Sequence, residues 1–294
     1  MRAFIALIKR EYIEHKLAFV VAPMVLIGLM LAAALYGMVG HSVDASFSNG
    51  PSSSLRLYEA FLSVSIAGWW IYLLITLTFY YANAFSADGR NNAMLFWKSM
   101  PQSDLKILSS KVAAGLTIFP AAILVATLFT ALIAYLPTHT VANLLPSFSP
   151  PSVVEVMTTL LNVIAIAAAL FVLSLLWFLP FYGWIGLLGT MFGRWAIPLS
   201  VLIPGVVSLF EAIAMRNFQR SGGYVWQFLQ NRLTFGIDTI DFEAVWEGTG
   251  RLEAGPVITQ MLVQIDWISM IGGLAAAVLL IYAASEYRRR FVLA

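Results

Sequence analysis

The chain contains no cysteine among its 294 residues, which excludes disulfides, thiolate metal sites and cysteine nucleophiles. Charge is also scarce: Asp, Glu, Lys and Arg make up 11% of the chain, against about 25% in ordinary soluble domains. Apolar residues reach 60%. A soluble globular fold is therefore excluded, and the composition predicts an integral membrane protein.

Motifs of nucleotide and metal chemistry are missing as well. No GxxxxGK[ST] or GxGxxG phosphate loop occurs, so the chain cannot bind and hydrolyse nucleotide through a P-loop of its own. The three histidines, His15, His41 and His139, are far apart in sequence and form no HExxH pair. We therefore expect no cofactor or metal on this chain and no catalytic activity; an intramembrane enzyme would need convergent catalytic side chains.

Long apolar stretches with few charges predict an all-α fold with six transmembrane helices in one domain covering residues 1–294. A crossing needs about 20 apolar residues. Residues 156–193 are free of charge, but Pro180 and Gly183 interrupt them, so residues 181–193 are interpreted as a kinked or interfacial extension. The six predicted spans cover residues 17–40, 60–87, 112–136, 156–179, 195–215 and 267–285.

The distribution of basic residues predicts the topology, because Lys and Arg are retained on the cytoplasmic side. With both termini inside, the cytoplasmic segments hold 12 of the 17 basic residues and five acidic ones, a net +7. The outer segments hold five basic and ten acidic residues, a net −5. A seventh span would move the triple arginine at residues 288–290 outside, so six spans are favoured. We expect a multi-pass protein of the cell (inner) membrane.

Two cytoplasmic segments are predicted to be helical. Residues 1–16 form a short helix with an apolar face of Phe4, Ile5, Ile8 and Tyr12, which Glu11 and His15 interrupt. This helix either lies along the inner headgroups or is only a positive-inside anchor.

The loop at residues 88–111 reads DGRNNAMLFWKSMPQSDLKILSSK. Residues 91–98 predict two helical turns that end before Pro101, and Ser103 is expected to cap the next helix. The rings of Phe96 and Trp97 have two interpretations: they lie in the aromatic belt at the headgroups, or they fill a groove on a soluble partner.

The outer segment at residues 216–266 interleaves aromatic and acidic residues, which indicates short interfacial helices before the last span. Because this segment is acidic, a nucleic-acid surface is not expected.

The sequence resembles permease subunits of ABC-2 type ATP-binding-cassette transporters. Three stretches carry the resemblance: IKREYIEHK before the first span, the 88–111 loop with its FWKSMPQSD segment, and the closing YRRR. FWKSMPQSD is the most specific, because it is similar to the FWKSLPxSD of many bacterial members. The six spans and the missing P-loop also fit.

The resemblance implies a paired permease in the bilayer that is built from two copies, with ATP and Mg on a separate ATPase subunit that each copy docks. It also implies re-entrant helices in the outer segment. The connecting helix would be residues 1–16, including Phe4, Ile8, Arg10, Glu11 and Tyr12. The coupling helix that docks the ATPase would include Asn91, Met94, Leu95, Phe96, Trp97 and Lys98.

Polar side chains form stripes on the second and fifth predicted spans. Such groups avoid lipid, so they either form hydrogen bonds between helices or contact substrate, and the resemblance favours the second interpretation for some of them. Glu211 lies near the outer end of the fifth predicted span, so a carboxylate at the level of the lipid headgroups also explains it. The candidate path residues are Ser65, Trp69, Tyr72, Thr76, Asn83, Ser200, Ser208 and Glu211.

The sequence thus predicts the membrane subunit of an ABC transporter that moves a substrate across or out of the membrane. An ATP-independent secondary transporter is a first alternative, but it would require charged residues near mid-membrane, and the predicted spans carry none there. A structural or signalling membrane subunit is a second alternative.

Overall fold

A computed structural model describes residues 2–38, 53–90, 103–144, 151–214, 223–235 and 252–291. None of these residues lies in a β-strand. Five helical stretches are long and apolar enough to cross a membrane: Ala3–Gly37, Ser54–Ala87, Asp104–Val141, Val153–Ala214 and Trp267–Phe291. The predicted all-α, multi-pass membrane character is confirmed for this part of the chain.

The first stretch is helical throughout. Helix α1 (Arg2–Lys16) continues through a π-helical segment, Leu17–Val21, into α2 (Ala22–Met38). The N–H of Ala22 donates to the carbonyl of Leu17, five residues back, immediately before Pro23. Because proline has no N–H, it disturbs the regular helix ladder, and a π-turn is one way to absorb that disturbance. Helix α3 (Ser54–Arg90) follows.

Helices α4 (Asp104–Leu116) and α5 (Ile118–Leu144) meet at Thr117. The Ser103 hydroxyl accepts the Lys106 N–H at 3.3 Å, which confirms the predicted cap of α4. The ladder breaks at Thr117 because Pro120 cannot donate to the carbonyl of Leu116.

Helix α6 (Val153–Phe192) is a continuous 40-residue helix that begins with a capping box between Ser152 and Glu155. It runs through Pro180, so the boundary predicted at residue 179 is not a helix end, and residues 181–192 continue the same helix. The break comes instead at Gly193, whose φ of 58° lies in the left-handed region that glycine tolerates. A 3₁₀ turn, Gly193–Trp195, then leads into α7 (Ala196–Ala214).

The chain reverses direction at this break. Ala196 lies in one buried cluster with Ile185 and Leu188. In a straight helix, Ala196 would lie about 12 Å beyond Leu188, at 1.5 Å per residue. Helix α7 therefore folds back along α6.

Three further helices complete the described fold: α8 (Gly223–Leu233), α9 (Ala254–Gln264) and α10 (Trp267–Phe291). The described parts of the predicted outer segment, residues 223–235 and 252–266, contain two short helices, α8 and α9. The Ala254 N–H at the start of α9 donates to Asn162 Oδ1 on α6 at 3.3 Å.

Helix α6 lies at the centre of the bundle, between α3 and α10. Its glycines permit this close packing, because a Cβ at Gly186 would lie 2.7 Å from the Phe85 ring and one at Gly189 would lie 2.9 Å from the Ala82 carbonyl oxygen. The rings of Tyr81 and Tyr182 stack at 4.9 Å between the same two helices.

Candidate functional site

A buried carboxylate joins three helices at one end of the bundle. Glu11 of α1 is 2% exposed, and its Oε1 lies 3.0 Å from the Nζ of Lys111 on α4, which is 1% exposed. Its Oε2 lies 3.0 Å from the Tyr80 hydroxyl of α3. That hydroxyl also lies 3.0 Å from the Lys111 carbonyl, and it donates to one of the two acceptors at a time.

Aromatic rings surround this pair. Phe19 stacks on Phe119 at 3.9 Å between ring centroids, and Phe119 packs against the Tyr80 ring at 4.9 Å. In such apolar surroundings a single charge is strongly unfavourable, so the carboxylate and the ammonium depend on each other.

His15 lies at the edge of the same cluster. Its Nε2 is 3.9 Å from Glu11 Oε2, and its ring meets the Tyr80 ring edge-on at 4.7 Å. Ligand atoms of Glu11, Glu14 and His15 lie within 4.8 Å of one another, but a cation there would compete with the Lys111 ammonium for Glu11.

The position of Glu11 corrects the predicted apolar face of α1. The face packed against the bundle carries Ile8, Glu11 and His15, whereas Ile5 is 64% exposed and Tyr12 38% exposed. Lys111 and Tyr80 on the opposing helices explain the difference, because they neutralise and hydrogen-bond a carboxylate that would otherwise avoid burial. Phe4 is half-buried, and Arg10 pairs with Glu14 at the surface of α1 at 2.5 Å.

A second ion pair lies at the beginning of α4. The Nε of Arg288, near the end of α10, is 2.9 Å from Asp104 Oδ1, and Arg288 is 1% exposed. The short helix α4 is thus tied to α10 at its first residue and to α1 at Lys111, two turns later. Helix α4 is therefore in contact with both α1 and α10 through buried side chains.

The predicted coupling residues Asn91, Met94, Leu95, Phe96, Trp97 and Lys98 lie outside the described residues. The described chain resumes at Ser103, directly before α4.

Two of the candidate path residues on α3 connect helices. Trp69 is buried and donates its Nε1–H to the Thr130 hydroxyl of α5 at 3.1 Å. The Tyr72 hydroxyl donates to the Ala18 carbonyl at 2.5 Å. Thr76 and Asn83 bond to carbonyls of their own helix, and Ser65 is half-buried.

The candidate path residues on α7 have different surroundings. Ser200 bonds within its own helix, at the carbonyl of Ile197. Ser208 is buried, and its hydroxyl has no hydrogen-bond partner within the described ranges. Glu211 accepts the N–H of Val225 at 2.8 Å and so fastens the beginning of α8 to α7.

The structure also buries an arginine that the sequence analysis had placed only within the outer segment. Arg232 of α8 is 1% exposed, and its guanidinium donates to the carbonyls of Trp177 on α6, at 2.5 Å, and Ser269 on α10. The guanidinium carbon lies 4.4 Å above the Trp177 ring and 5.4 Å from the Phe228 ring. Trp177 returns a bond, from its Nε1 to the Arg232 carbonyl at 3.0 Å.

This arginine lies between an apolar part of α6 and the beginning of α10, where Ser269 is the third residue. Trp177 is 22 residues after Glu155 and 17 before Arg194, near the middle of an apolar stretch without charges. Sequence reasoning missed it because Arg232 lies in a short polar segment. The only signal was the spacing of Phe228 and Arg232, which share a helix face at i and i+4.

Comparison of the chain with models of known protein families, with curated proteins and with solved structures gave no match. The functional assignment therefore depends on the residues and contacts described above.

Proposed function

We propose that this chain is the membrane-spanning permease subunit of an ABC-2 type ATP-binding-cassette transporter. It moves a substrate across or out of the cell (inner) membrane, with ATP hydrolysed by a separate subunit. It has six crossings and cytoplasmic termini, pairs with a second copy, and is not itself an enzyme. The reversal at Gly193 supports counting α6 and α7 as two crossings.

The observation that carries the proposal is the double anchoring of α4. This helix follows the FWKSMPQSD loop, whose resemblance to the family's docking segment makes it the candidate ATPase contact. Its ion pairs, Glu11 with Lys111 and Asp104 with Arg288, link that loop to α1 and α10. An ATPase that pushed on the loop would move α4, and α4 would move the predicted cytoplasmic helix α1 and the membrane helix α10.

Docking is tested by co-purification with a P-loop ATPase subunit that is expressed together with this chain. If Phe96 and Trp97 fill a groove on it, changing either to Ala removes an aromatic anchor worth about 2 kcal/mol or more, roughly 30-fold in affinity. Trp195→Ala is the matched control, because Trp195 is an exposed tryptophan on the same predicted side of the membrane.

We expect ATPase recovery to fall with Phe96→Ala, Trp97→Ala and their double variant, and to be unchanged with Trp195→Ala, at equal permease levels. The permease alone should hydrolyse no ATP. Unchanged recovery with the double variant would place the two rings in the aromatic belt, and hydrolysis by the isolated chain would contradict the subunit assignment.

One observation favours a second candidate, an ATP-independent secondary transporter. The sequence analysis set this class aside because the predicted spans carry no charge near mid-membrane, yet the structure buries the charged Arg232 between α6 and α10. Ionisable residues buried between membrane helices often mark substrate or ion pathways. Transport by the reconstituted chain alone, driven by an ion gradient without ATP, would favour this class.

A further inference from the structure

The side of α1 that faces away from the bundle carries two lysines along one stripe. Its four members are exposed and follow one another at intervals of four, three and four residues: Ile5, Lys9, Tyr12 and Lys16. Side chains at these intervals lie on one face of an α-helix. We refer to these four residues as the lysine stripe. It presents two positive charges and two partly apolar side chains to the surroundings, with no carboxylate among them.

Both carboxylates of α1 are already paired elsewhere. Glu11 is bound to Lys111 inside the bundle, and Glu14 is bound to Arg10 at the surface. The two lysines of the stripe, by contrast, make no ion pair with any described residue. A counter-ion for the stripe therefore has to come from elsewhere.

The lysine stripe leads directly into a surface that faces lipid. Helix α1 continues into α2 through the π-helical segment without a break, and the whole stretch Ala3–Gly37 is long and apolar enough to cross a membrane. Directly after the stripe, Leu17 is 68% exposed and Met24 is 65% exposed. Exposed apolar side chains of a membrane helix contact the hydrocarbon. The stripe therefore lies where this surface leaves the hydrocarbon and enters the headgroups.

The chemistry of the stripe fits an acidic phospholipid. A lysine at this level lays its apolar stem along the helix and extends its ammonium to the headgroups. Between the two lysines, Tyr12 adds a hydroxyl that can donate to a phosphate oxygen. The cytoplasmic leaflet is rich in anionic lipids, which attract basic residues next to a membrane helix. A zwitterionic lipid brings its own cation, which competes with the lysines for the phosphate.

We propose that the lysine stripe binds acidic phospholipids of the inner leaflet. The lipid phosphates lie beside Lys9 and Lys16, and the acyl chains pack along Leu17 and α2. Glu11 lies on another side of α1, so bound lipid leaves its ion pair undisturbed. The binding requires only that the chain spans a membrane, whereas the choice of leaflet rests on the proposed topology.

Binding is tested with a single fluorescent label in the full-length chain, which has no cysteine of its own. Ile13→Cys places the label beside the stripe, because Ile13 is 53% exposed on α1. In vesicles of phosphatidylcholine and phosphatidylglycerol, one lipid at a time carries brominated acyl chains, which quench the label on contact. The two quenching curves give the preference for phosphatidylglycerol at this position. We expect a clear preference that decreases as the salt concentration is raised.

The variant Lys9→Gln/Lys16→Gln should lose this preference, by up to about 30-fold, because each basic residue contributes about fivefold to the binding of acidic lipid. Lys9→Arg/Lys16→Arg keeps both charges and should keep the preference. The matched control is Arg289→Gln/Arg290→Gln. It also removes two exposed cations, but these are paired with Glu286, so the preference should stay unchanged.

Equal quenching by the two lipids in the labelled chain would overturn the proposal. An equal loss of preference in the matched control would also overturn it, because the lysines would then act only through the net charge of the protein. Both leaflets of these vesicles contain the same lipids and no ATPase is present. The result is therefore independent of the orientation of the chain and of ATPase docking, and its failure would leave the proposed function intact.

Discussion

At the scale of single residues, buried charges determine the chemistry of this protein. Glu11 and Lys111 are both almost fully buried, yet each satisfies the other at 3.0 Å. A buried pair of this kind adds little net stability compared with apolar residues, but it is costly to break. The Glu11–Lys111 pair fixes the position of α1 relative to α4. The proposed coupling requires such a fixed position.

Removing one partner of this pair should destabilise the fold much more than removing both. Glu11→Gln or Lys111→Met strands a buried charge, at a cost of about 3–5 kcal/mol. The double variant leaves no charge and should recover much of that loss. Thermal unfolding of the purified variants measures the effect.

The control for this cycle is Glu14→Gln, which disrupts a surface pair with Arg10 worth about 0–1 kcal/mol. If the double variant were as unstable as the sum of the two singles, the pair would not be acting as a unit.

At the scale of elements, contacts between backbones decide which helices can be neighbours. Helix α6 approaches α3 so closely that Gly189 faces the Ala82 carbonyl oxygen, and a backbone oxygen cannot move aside as a flexible side chain can. Helix α4 is held differently, by the charged pairs at Asp104 and Lys111. The packing of α6 against α3 therefore depends on close backbone contacts, whereas α4 is held to its neighbours by ion pairs.

Two glycine substitutions should have opposite effects on stability. Gly189→Ala places a Cβ 2.9 Å from the Ala82 oxygen and should cost about 1–3 kcal/mol through overpacking. Gly68→Ala, inside α3 with nothing within 4 Å, should stabilise the helix by about 0.5–1 kcal/mol. Melting temperatures in detergent compare the two, and a loss of stability with Gly68→Ala equal to that with Gly189→Ala would contradict the close α3–α6 contact.

At the scale of the whole molecule, α10 connects the two polar regions. Ser269 contacts Arg232 near one end of this helix, and Arg288 contacts Asp104 near the other. Arg288 follows Ser269 by 19 positions, which span about 28 Å at 1.5 Å per residue, close to the thickness of the hydrocarbon core. The buried Arg232 and the Asp104–Arg288 ion pair therefore lie on opposite halves of the bundle.

The proposed topology can be tested with single cysteines in this cysteine-free chain. Exposed positions Val153 and Tyr224 should label from outside with an impermeant thiol reagent, and Ser103 and Trp195 should label only after the membrane is permeabilised. Labelling of Trp195 from outside would show that α6 and α7 are not two crossings with their connection in the cytoplasm.

The sequence predicted the helical membrane class because composition alone excludes a soluble core. It also predicted that Ser103 caps α4, because a serine side chain directly before a helix can accept a backbone N–H of the first turn. It left open whether residues 181–193 continue the fourth span or lie at the interface, because neighbouring helices can compensate for a proline inside a membrane bundle. It assigned Ile5 to the packed face of α1 and treated Glu11 as an interruption, because the partners Lys111 and Tyr80 are 100 and 69 residues away.

What the sequence by itself determined are the local properties of this protein: apolar helices, a charge distribution that favours cytoplasmic termini, and the absence of a P-loop. Tertiary structure alone decided which charges are buried and what satisfies them. Arg232 is an ordinary polar residue of an outer segment until α8 packs between Trp177 and Ser269. The reason is physical: the free energy of a buried charge depends on the groups that surround it in space, and those groups come from distant parts of the chain.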